Sequence, residues 1–365
     1  MSSTHYPIFS ASFNQDNSRL AISSRDGIKI FDPNTGRLYY KRVGAFNVVE
    51  MLNSTSLLAI VGAGEQPTLS PRRLCLFDFI TGTPRRELNF LTSILAVRLN
   101  KKRLVVVLEE KTFIYDSNSI AMLDTIDTVP NAKGLCAFSP SLDGCFLALP
   151  ASTTKGSVLV YNVMELQSHC QIDAHRAPLA AVAVSSNGMY IATASEQGTI
   201  IRVHLVQEAT KSYSFRRGAY PSTIFSLSFG PPMQFPEILV ASSSSGSVHA
   251  FLLGFAINQR RRRSSSFLAS ILPDSVNDAL DLSYHHVLHN AVPAGVKSYV
   301  VVRKVDKIDD VSDSCSATIS VITFNGFFEE YAVNVNILNE SKWSLKHEFN
   351  LLTVLSGEEQ HFQLV

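Results

Sequence analysis

The sequence has no long apolar run and no excess of either charge. No apolar stretch approaches the roughly 18 residues that a membrane-spanning helix needs, so we expect no segment that crosses a bilayer. The start at Met1 lacks a basic region followed by an apolar core, so no secretory signal is expected there. The 32 Lys and Arg residues balance 31 Asp and Glu residues, for a formal net charge of +1. This balance excludes the broad basic field of a general nucleic-acid-binding protein, and any anion must be recognised locally.

The cysteines of the chain are few and show no pairing pattern. The five are Cys75, Cys136, Cys145, Cys170 and Cys315. No two of them form a C-x-x-C motif, and their number is odd, which argues against a zinc site or a disulfide framework. We therefore expect reduced thiols in a cytosolic protein.

Motifs of catalysis and of cofactor binding are missing as well. Gly62-Ala-Gly64 lacks the third glycine of a dinucleotide site, and the chain contains neither a G-x-S-x-G elbow nor a P-loop. His285, His286 and His289 have helical spacing for a metal, but no H-E-x-x-H arrangement accompanies them. We expect neither an enzyme nor a bound metal or cofactor.

The sequence does contain a short β-rich motif that recurs along its length. The motif reads Gly27-Ile-Lys-Ile-Phe-Asp32 in its first copy, and further copies begin at Leu74, Thr112, Gly156, Gly198, Gly246 and, more weakly, Gly326. Steps of about 38 to 48 residues are the blade period of a β-propeller. Val, Ile, Phe and Tyr dominate the motif, and helical periodicity is nearly absent. The pattern predicts an all-β fold, a seven-bladed β-propeller of the WD-repeat kind, with residues 1–365 as a single domain.

The motif copies divide the chain into seven predicted blades. Their ranges are 8–43, 46–89, 91–127, 131–173, 178–216, 222–295 and 297–354. The sequence leaves open whether the last blade closes with its own fourth strand or borrows one from the N-terminus. The step from the sixth copy to the seventh is about 80 residues, which predicts an insertion over 258–290 after the third strand of blade 6.

The first candidate functional feature is Phe215-Arg216-Arg217-Gly218, at the end of the last strand of blade 5. Neighbouring side chains of a strand point to opposite faces, so the two arginines cannot share one pocket. A guanidinium fork matches two phosphate oxygens at once, which favours two separate anion sites. The alternative is an arginine pair that only protects a solvated sheet edge.

The second candidate feature is the insertion, in which four arginines, 260–263, lead into a short apolar stripe. The stripe consists of Phe267, Leu268, Ile271 and Leu272. A basic cluster joined to a short amphipathic segment is typical of an interfacial membrane anchor, so we predict that 258–290 is a membrane-inserting loop. A nuclear-localisation run or a solvated disordered loop remains an alternative. Ser264, Ser265 and Ser266 follow the arginines, and phosphorylation there is expected to oppose binding to an anionic surface.

These residues resemble a known family. Phe215–Gly218, placed between Thr193–Val203 and a Ser-Leu-Ser-Phe strand, is similar to the corresponding region of the PROPPINs, the phosphoinositide-binding propellers of autophagy. Residues 61–78 resemble the second blade of that family, and 267–273 resemble its membrane-inserting loop. The segment 281–286 departs from the family pattern, which often has a tryptophan-containing strand there.

The resemblance implies two sites for phosphatidylinositol 3-phosphate or phosphatidylinositol 3,5-bisphosphate. The first would comprise Arg216, His175, Ser195, Thr199 and Arg202. The second would comprise Arg217, Ser242, Ser244, Ser247 and His249.

The resemblance also implies a cellular role. The protein would be a non-enzymatic phosphoinositide effector in autophagosome formation, cytoplasmic and peripheral on pre-autophagosomal, endosomal or vacuolar membranes. It would recruit autophagy proteins such as a bridge-like lipid-transfer protein, with residues 67–73 of blade 2 as the expected contact. A WD-repeat scaffold that binds only proteins is the main alternative. A propeller hydrolase is a further one, but it needs a carboxylate or histidine cluster in the central channel.

Overall fold

The computed structural model describes residues 6–142, 144–209, 212–232, 234, 237–253, 284–307, 314–336 and 338–353. Within these ranges the chain forms seven antiparallel sheets of four strands, each in chain order. The first four sheets are β1–β4 (Ile8–Phe13, Leu20–Ser24, Gly27–Phe31, Leu38–Val43), β5–β8 (Phe46–Met51, Leu57–Gly62, Arg73–Asp78, Thr83–Asn89), β9–β12 (Ala96–Leu99, Arg103–Val107, Lys111–Asp116, Met122–Asp127) and β13–β16 (Ala137–Phe138, Phe146–Pro150, Gly156–Asn162, Gln167–His175). The last three are β17–β20 (Leu179–Val184, Tyr190–Ser195, Ile200–Leu205, Ser212–Arg216), β21–β24 (Ile224–Phe229, Ile238–Ser243, Val248–Leu252, His285–Leu288) and β25–β28 (Ser298–Lys307, Cys315–Thr323, Phe327–Val335, Ser341–Asn350).

The predicted seven-bladed propeller is confirmed. Each sheet is one blade, and each copy of the recurring motif marks the third strand of its blade, including the weak seventh copy in β27. The sheets of blades 3 and 4 begin a few residues later than predicted, at Ala96 and Ala137. The residues before them join neighbouring blades and are not paired in the sheets.

Burial along a blade follows from its position in the ring. The second strand of blade 6, β22, is buried at every position, whereas the fourth strand of blade 2, β8, is exposed at nearly every position. Inner strands are covered on both faces by the adjacent blades, so they read as continuous apolar runs, and outer strands meet solvent. The hydrophobic core is accordingly distributed between neighbouring blades, as in the cluster that joins Phe215 of blade 5 to Phe251 of blade 6.

The ring closes by contact between blades 7 and 1, and blade 7 supplies all four of its own strands. The backbone amide of Ile8 donates to the carbonyl of Phe324 over 3.2 Å. Arg303 of blade 7 pairs with the buried Glu330 and also donates to Asn34 of blade 1 over 2.8 Å. The question that the sequence left open is thereby answered: the fourth strand of the last blade is β28, and no strand of the described N-terminal residues joins that sheet.

The first strands of the blades line a central channel of about 490 Å³. Glu50 is the only carboxylate among the described residues that line it, and it forms an ion pair with Arg98. Burial raises the pKa of Glu50, and the charge of Arg98 opposes that rise. A single carboxylate held by an arginine is not the acidic cluster that the hydrolase alternative needs.

Candidate functional site

The two adjacent arginines diverge at the end of β20. Phe215 is buried in the core against blade 6 and lies opposite Ile201, whereas Arg216 is exposed and lies opposite Ile200. Arg217 follows the strand, returns to the side of Phe215, and is only 9% exposed. The alternation of the strand therefore directs Arg216 toward blade 4 and Arg217 toward blade 6.

Arg217 is held by backbone carbonyl groups. Its amide donates to the carbonyl of Thr199 over 2.8 Å, and its Nε donates to that of Gly198 over 2.6 Å. The guanidinium also donates to the carbonyl of Tyr220. Within the described part of the chain neither Arg216 nor Arg217 forms an ion pair with a carboxylate. Burial without a counter-charge lowers the pKa of Arg217, and an anion would supply that charge.

A cleft of about 640 Å³ separates blades 4 and 5. Its lining includes four residues predicted for the first site, namely His175, Ser195, Thr199 and Arg202. Ile200, the strand partner of Arg216, also lines it, so Arg216 lies at the edge of this cleft. The structure thus brings four of the five residues predicted for the first site together, with Arg216 adjoining them through Ile200.

Two further cations line the same cleft and were missed in the sequence. Lys155 lies just before the motif strand of blade 4, and Arg176 follows β16. A signal existed for both, because each adjoins a residue that begins or ends a strand of blade 4. The acidic lining residue Asp173 accepts a hydrogen bond from Ser157 over 2.6 Å, and that bond lowers its pKa. With Arg202, three cations face one carboxylate in the cleft, so its charge favours an anion.

The protonation of His175 is expected to depend on whether an anion is bound. Burial, and then the charge of Arg202, lower the pKa of His175 to about 4. One ring nitrogen lies 2.9 Å from the hydroxyl of Thr193. The ring is therefore neutral at pH 7, and a phosphate placed beside it would raise its pKa.

Polar groups of the predicted second pocket lie on the opposite face of β20, between blades 5 and 6. His249 is 4% exposed, and its Nδ1 lies 2.9 Å from Nε2 of His285. Burial and the charges of neighbouring histidines and Arg217 lower the pKa values of His249 and His285 to about 3 and about 4. The buried Nε2 of His249 has no hydrogen-bond partner among the described residues. Sequence reasoning missed His285 in this pocket, since it follows the insertion and lies 36 residues from His249.

The predicted serines of blade 6 divide between its two faces. The hydroxyl of Ser244 accepts a hydrogen bond from the amide of Thr223 over 3.0 Å, beside the segment that follows Arg217. The carbonyl of Ser247 accepts from the hydroxyl of Ser243 in the same turn. Ser242 instead donates to the carbonyl of Ser298 in blade 7. Ser242 does not lie with Arg217, because it precedes Ser243 by one residue and so takes the other face of β22.

The predicted membrane-inserting residues Phe267, Leu268, Ile271 and Leu272 lie outside the described residues, as do the arginines at 260–263. The described chain stops at Leu253 and resumes at Tyr284. His285, in the second pocket, directly follows this resumption. The predicted bound of 290 is wrong, because His285–Leu288 form β24, the fourth strand of blade 6. The insertion therefore ends before β24 and is attached beside the pocket that contains Arg217.

Two general properties bear on the site. No helix in the described ranges has the length and apolar character needed to cross a bilayer. Among those residues, too, no three His, Cys, Asp or Glu side chains are grouped so that they could hold a metal ion.

Comparisons with known proteins agree with this architecture. The PROPPIN family profile matches residues 8–273. Autophagy-related protein 18b of Arabidopsis thaliana is 69% identical over 98% of this chain and 99% of its own length. Autophagy-related protein 18 of Dictyostelium discoideum is 36% identical over 93% of this chain and 92% of its own length.

Solved structures share the fold at lower identity. Kluyveromyces lactis Hsv2 with its complete loop 6CD superposes with a TM-score of 0.71 at 19% identity, over 95% of this chain and 100% of that one. KlAtg21, solved in complex with the coiled-coil of AgAtg16, gives a TM-score of 0.70 at 21% identity, over 94% and 99% of the two chains. The profile match and the curated relatives together place the chain in the PROPPIN family of autophagy-related β-propellers.

Proposed function

We propose that this protein is a non-enzymatic phosphoinositide effector that binds phosphatidylinositol 3-phosphate and phosphatidylinositol 3,5-bisphosphate at the two pockets around Phe215–Gly218. The observation that carries the proposal is the divergence of Arg216 and Arg217 to opposite faces of β20. Arg216 borders a cleft with three other cations, and Arg217 lies beside two neutral histidines. Two adjacent guanidinium groups without a carboxylate partner among the described residues match two phosphorylated inositol heads.

Membrane docking follows from having several weak contacts on one side of the ring. Once one headgroup is bound, the second pocket and the insertion between β23 and β24 act at high effective concentration. Phe267, Leu268, Ile271 and Leu272 would enter the interfacial region, and the arginines at 260–263 would add electrostatic attraction to an anionic leaflet. The protein would be cytoplasmic and peripheral on pre-autophagosomal, endosomal or vacuolar membranes, where it would act in autophagosome formation.

Blades distant from the two pockets would remain free for partners. KlAtg21, which shares this fold, was solved in complex with the coiled-coil of AgAtg16, and this supports partner binding by the fold. We propose residues 67–73 of blade 2 as the contact for an autophagy protein such as a bridge-like lipid-transfer protein. Arg73, at the end of this segment, is partly exposed and pairs with Glu87.

Liposome co-sedimentation tests the lipid proposal, with vesicles that differ only in inositol phosphorylation. Each basic residue near an anionic surface contributes about 1 kcal/mol, so the Arg216→Thr/Arg217→Thr variant should bind about thirtyfold more weakly. The matched control is Lys101→Thr/Lys102→Thr, which removes an equal charge from two adjacent exposed lysines in the turn between β9 and β10. The melting temperature of each variant reports whether the fold is retained.

The outcome separates the proposal from a scaffold that binds only proteins. Loss of binding by the first variant, with unchanged melting temperature and an unaffected control, supports two specific lipid sites. Equal losses in both variants would instead mean that vesicles sense only net charge, and unchanged binding in the first variant would favour the scaffold.

A further inference from the structure

The turn that joins β20 to β21, residues 218–223, carries an exposed aromatic ring. Tyr220 is 83% exposed, and its neighbours Ala219 and Pro221 are exposed too. No residue of this turn is charged; its sequence is Gly-Ala-Tyr-Pro-Ser-Thr. A single exposed aromatic ring is common on a soluble surface, so the support and the position of Tyr220 have to indicate its role.

The turn is held rigidly at both of its ends. The guanidinium of Arg217 donates to the carbonyl of Tyr220, and the amide of Ser222 donates to the carbonyl of Gln197 over 3.1 Å. Gly198 approaches so closely that a Cβ built there would lie 1.7 Å from the carbonyl oxygen of Ser222. The ring of Tyr220 therefore projects from a fixed support.

The same turn bridges the two candidate pockets. Gln197, which it contacts, lines the cleft of the first pocket. On its other side, the hydroxyl of Ser222 lies 3.0 Å from that of Ser244 and accepts a hydrogen bond from the amide of Ser245. The uncharged turn that carries Tyr220 thus lies between the two candidate anion sites.

We propose that Tyr220 is a second point of membrane contact, entering the headgroup region of an anionic bilayer between the two bound inositol lipids. This inference rests on the proposed function and is separate from the insertion between β23 and β24. Tyrosine suits that depth because its ring is apolar and its hydroxyl remains hydrated. We assign a bilayer as the contact of this turn, because the cations that flank it are complementary to an anionic leaflet.

A fluorescence experiment tests the contact directly. The chain has one tryptophan, Trp343, so Trp343→Phe gives a silent background in which Tyr220→Trp is the only reporter. With vesicles that contain phosphatidylinositol 3-phosphate, its emission should shift to shorter wavelength and be quenched by lipids that carry a nitroxide at a shallow position. Soluble inositol 1,3-bisphosphate should leave the emission unchanged.

The matched control reporter is Leu91→Trp in the same background. Leu91 is 92% exposed and lies in the equivalent connection, between β8 and β9, near blade 2. Its emission should not respond to vesicles. In binding assays Tyr220→Ser should weaken vesicle binding about fivefold, because it removes a ring that would be partly buried in the bilayer. Tyr220→Phe retains the ring and should keep most of the binding.

The outcomes distinguish this inference from the function on which it rests. If the wild type and the Tyr220→Trp variant both sediment with vesicles but the emission stays that of an exposed tryptophan, the inference is wrong and the proposed function stands. An emission shift caused by the soluble headgroup alone also contradicts it. If the wild type does not sediment, the proposed function and this inference fall together.

Discussion

Two adjacent arginine pairs occupy the fourth strands of two blades, and their environments differ. In blade 2, Arg85 donates through Nε to the buried carboxylate of Asp78 over 3.0 Å, which lowers the pKa of Asp78 to about 2. In blade 5, Arg216 and Arg217 have no carboxylate partner among the described residues. One arginine of the blade 2 pair is thus neutralised by a carboxylate within the fold, whereas for the blade 5 pair we propose that an external anion supplies the counter-charge. The neighbours of a guanidinium, and not the dipeptide, indicate which role it has.

The largest effect on this comparison is expected from a substitution in the backbone segment whose carbonyl groups accept hydrogen bonds from Arg217. Gly198 has φ +60, and a Cβ there would overlap the carbonyl of Ser222. We expect Gly198→Val to lower the free energy of unfolding by roughly 2 to 4 kcal/mol. The backbone of Ser222 cannot move aside in the way that the flexible end of a side chain can. Chemical denaturation measures this loss.

The control is Gly82→Val in blade 2. Gly82 has φ +70 but no atom within 4 Å of its Cβ position, so only the cost of the left-handed backbone applies. We expect about 1 kcal/mol there. Equal losses at the two glycines would mean that the contact with Ser222 does not constrain the fold.

A smaller effect is expected when the blade 5 pair is given the carboxylate that blade 2 has. Ser214 lies two residues before Arg216 and so shares its face of β20. We expect Ser214→Asp to weaken liposome binding about tenfold, since the new charge satisfies Arg216 and repels phosphate. Co-sedimentation of this variant beside Ser212→Asp, which carries the same charge two residues farther away, measures the effect. If both variants bind equally, proximity to Arg216 is not the cause.

The smallest expected effect is a dependence of lipid binding on pH, produced by the histidines of the two pockets, His175 of blade 4 and His249 of blade 6. The folded-state pKa of His175 is about 4 and that of His249 about 3, against 6.5 for the free side chain. Below pH 6.5 the unfolded chain therefore binds more protons than the folded chain, and the stability of the free protein falls as the pH falls toward 4. A bound phosphate raises both folded pKa values, so lipid binding should strengthen as the pH falls from about 7.5 to about 5.5.

Titration of vesicle binding in wild type and in His175→Asn/His249→Asn measures that dependence. The double variant should bind with little change over the same range, whereas blade 2, residues 46–89, contains no histidine and contributes nothing to it. If the variant keeps the full pH dependence, the histidines do not face the bound phosphate.

Much of the fold was predictable because each blade is formed by four strands that are consecutive in the chain. The recurring motif marked the third strand of every blade, and the strand pairs that surround it are adjacent in the chain. The divergence of Arg216 and Arg217 was also predictable, since it follows from the alternation of a single strand. Closure of the ring was not predictable, because contacts such as Tyr6 with Gly295 join residues 289 positions apart.

The pockets were predicted only in part, since each lies between two blades. The sequence indicated His175 and Arg202 but not Lys155 and Arg176, which line the first cleft from blade 4. Their positions beside strand ends were a signal, but only the packing of blade 4 on blade 5 shows that they face the cleft. Ser242 was placed in the second pocket from its neighbours in sequence. Its face of β22 is turned to blade 7.

The sequence by itself determined that this chain builds seven blades and that two guanidinium groups leave one strand in opposite directions, because repeat spacing and strand alternation are local properties. Only the tertiary structure decided which groups meet them. Carbonyl groups hold Arg217, and His285 reaches His249 across the insertion. The physical reason is that the neighbouring blade sets the environment of a side chain in a propeller. Neighbouring blades come into contact only when the closed ring packs.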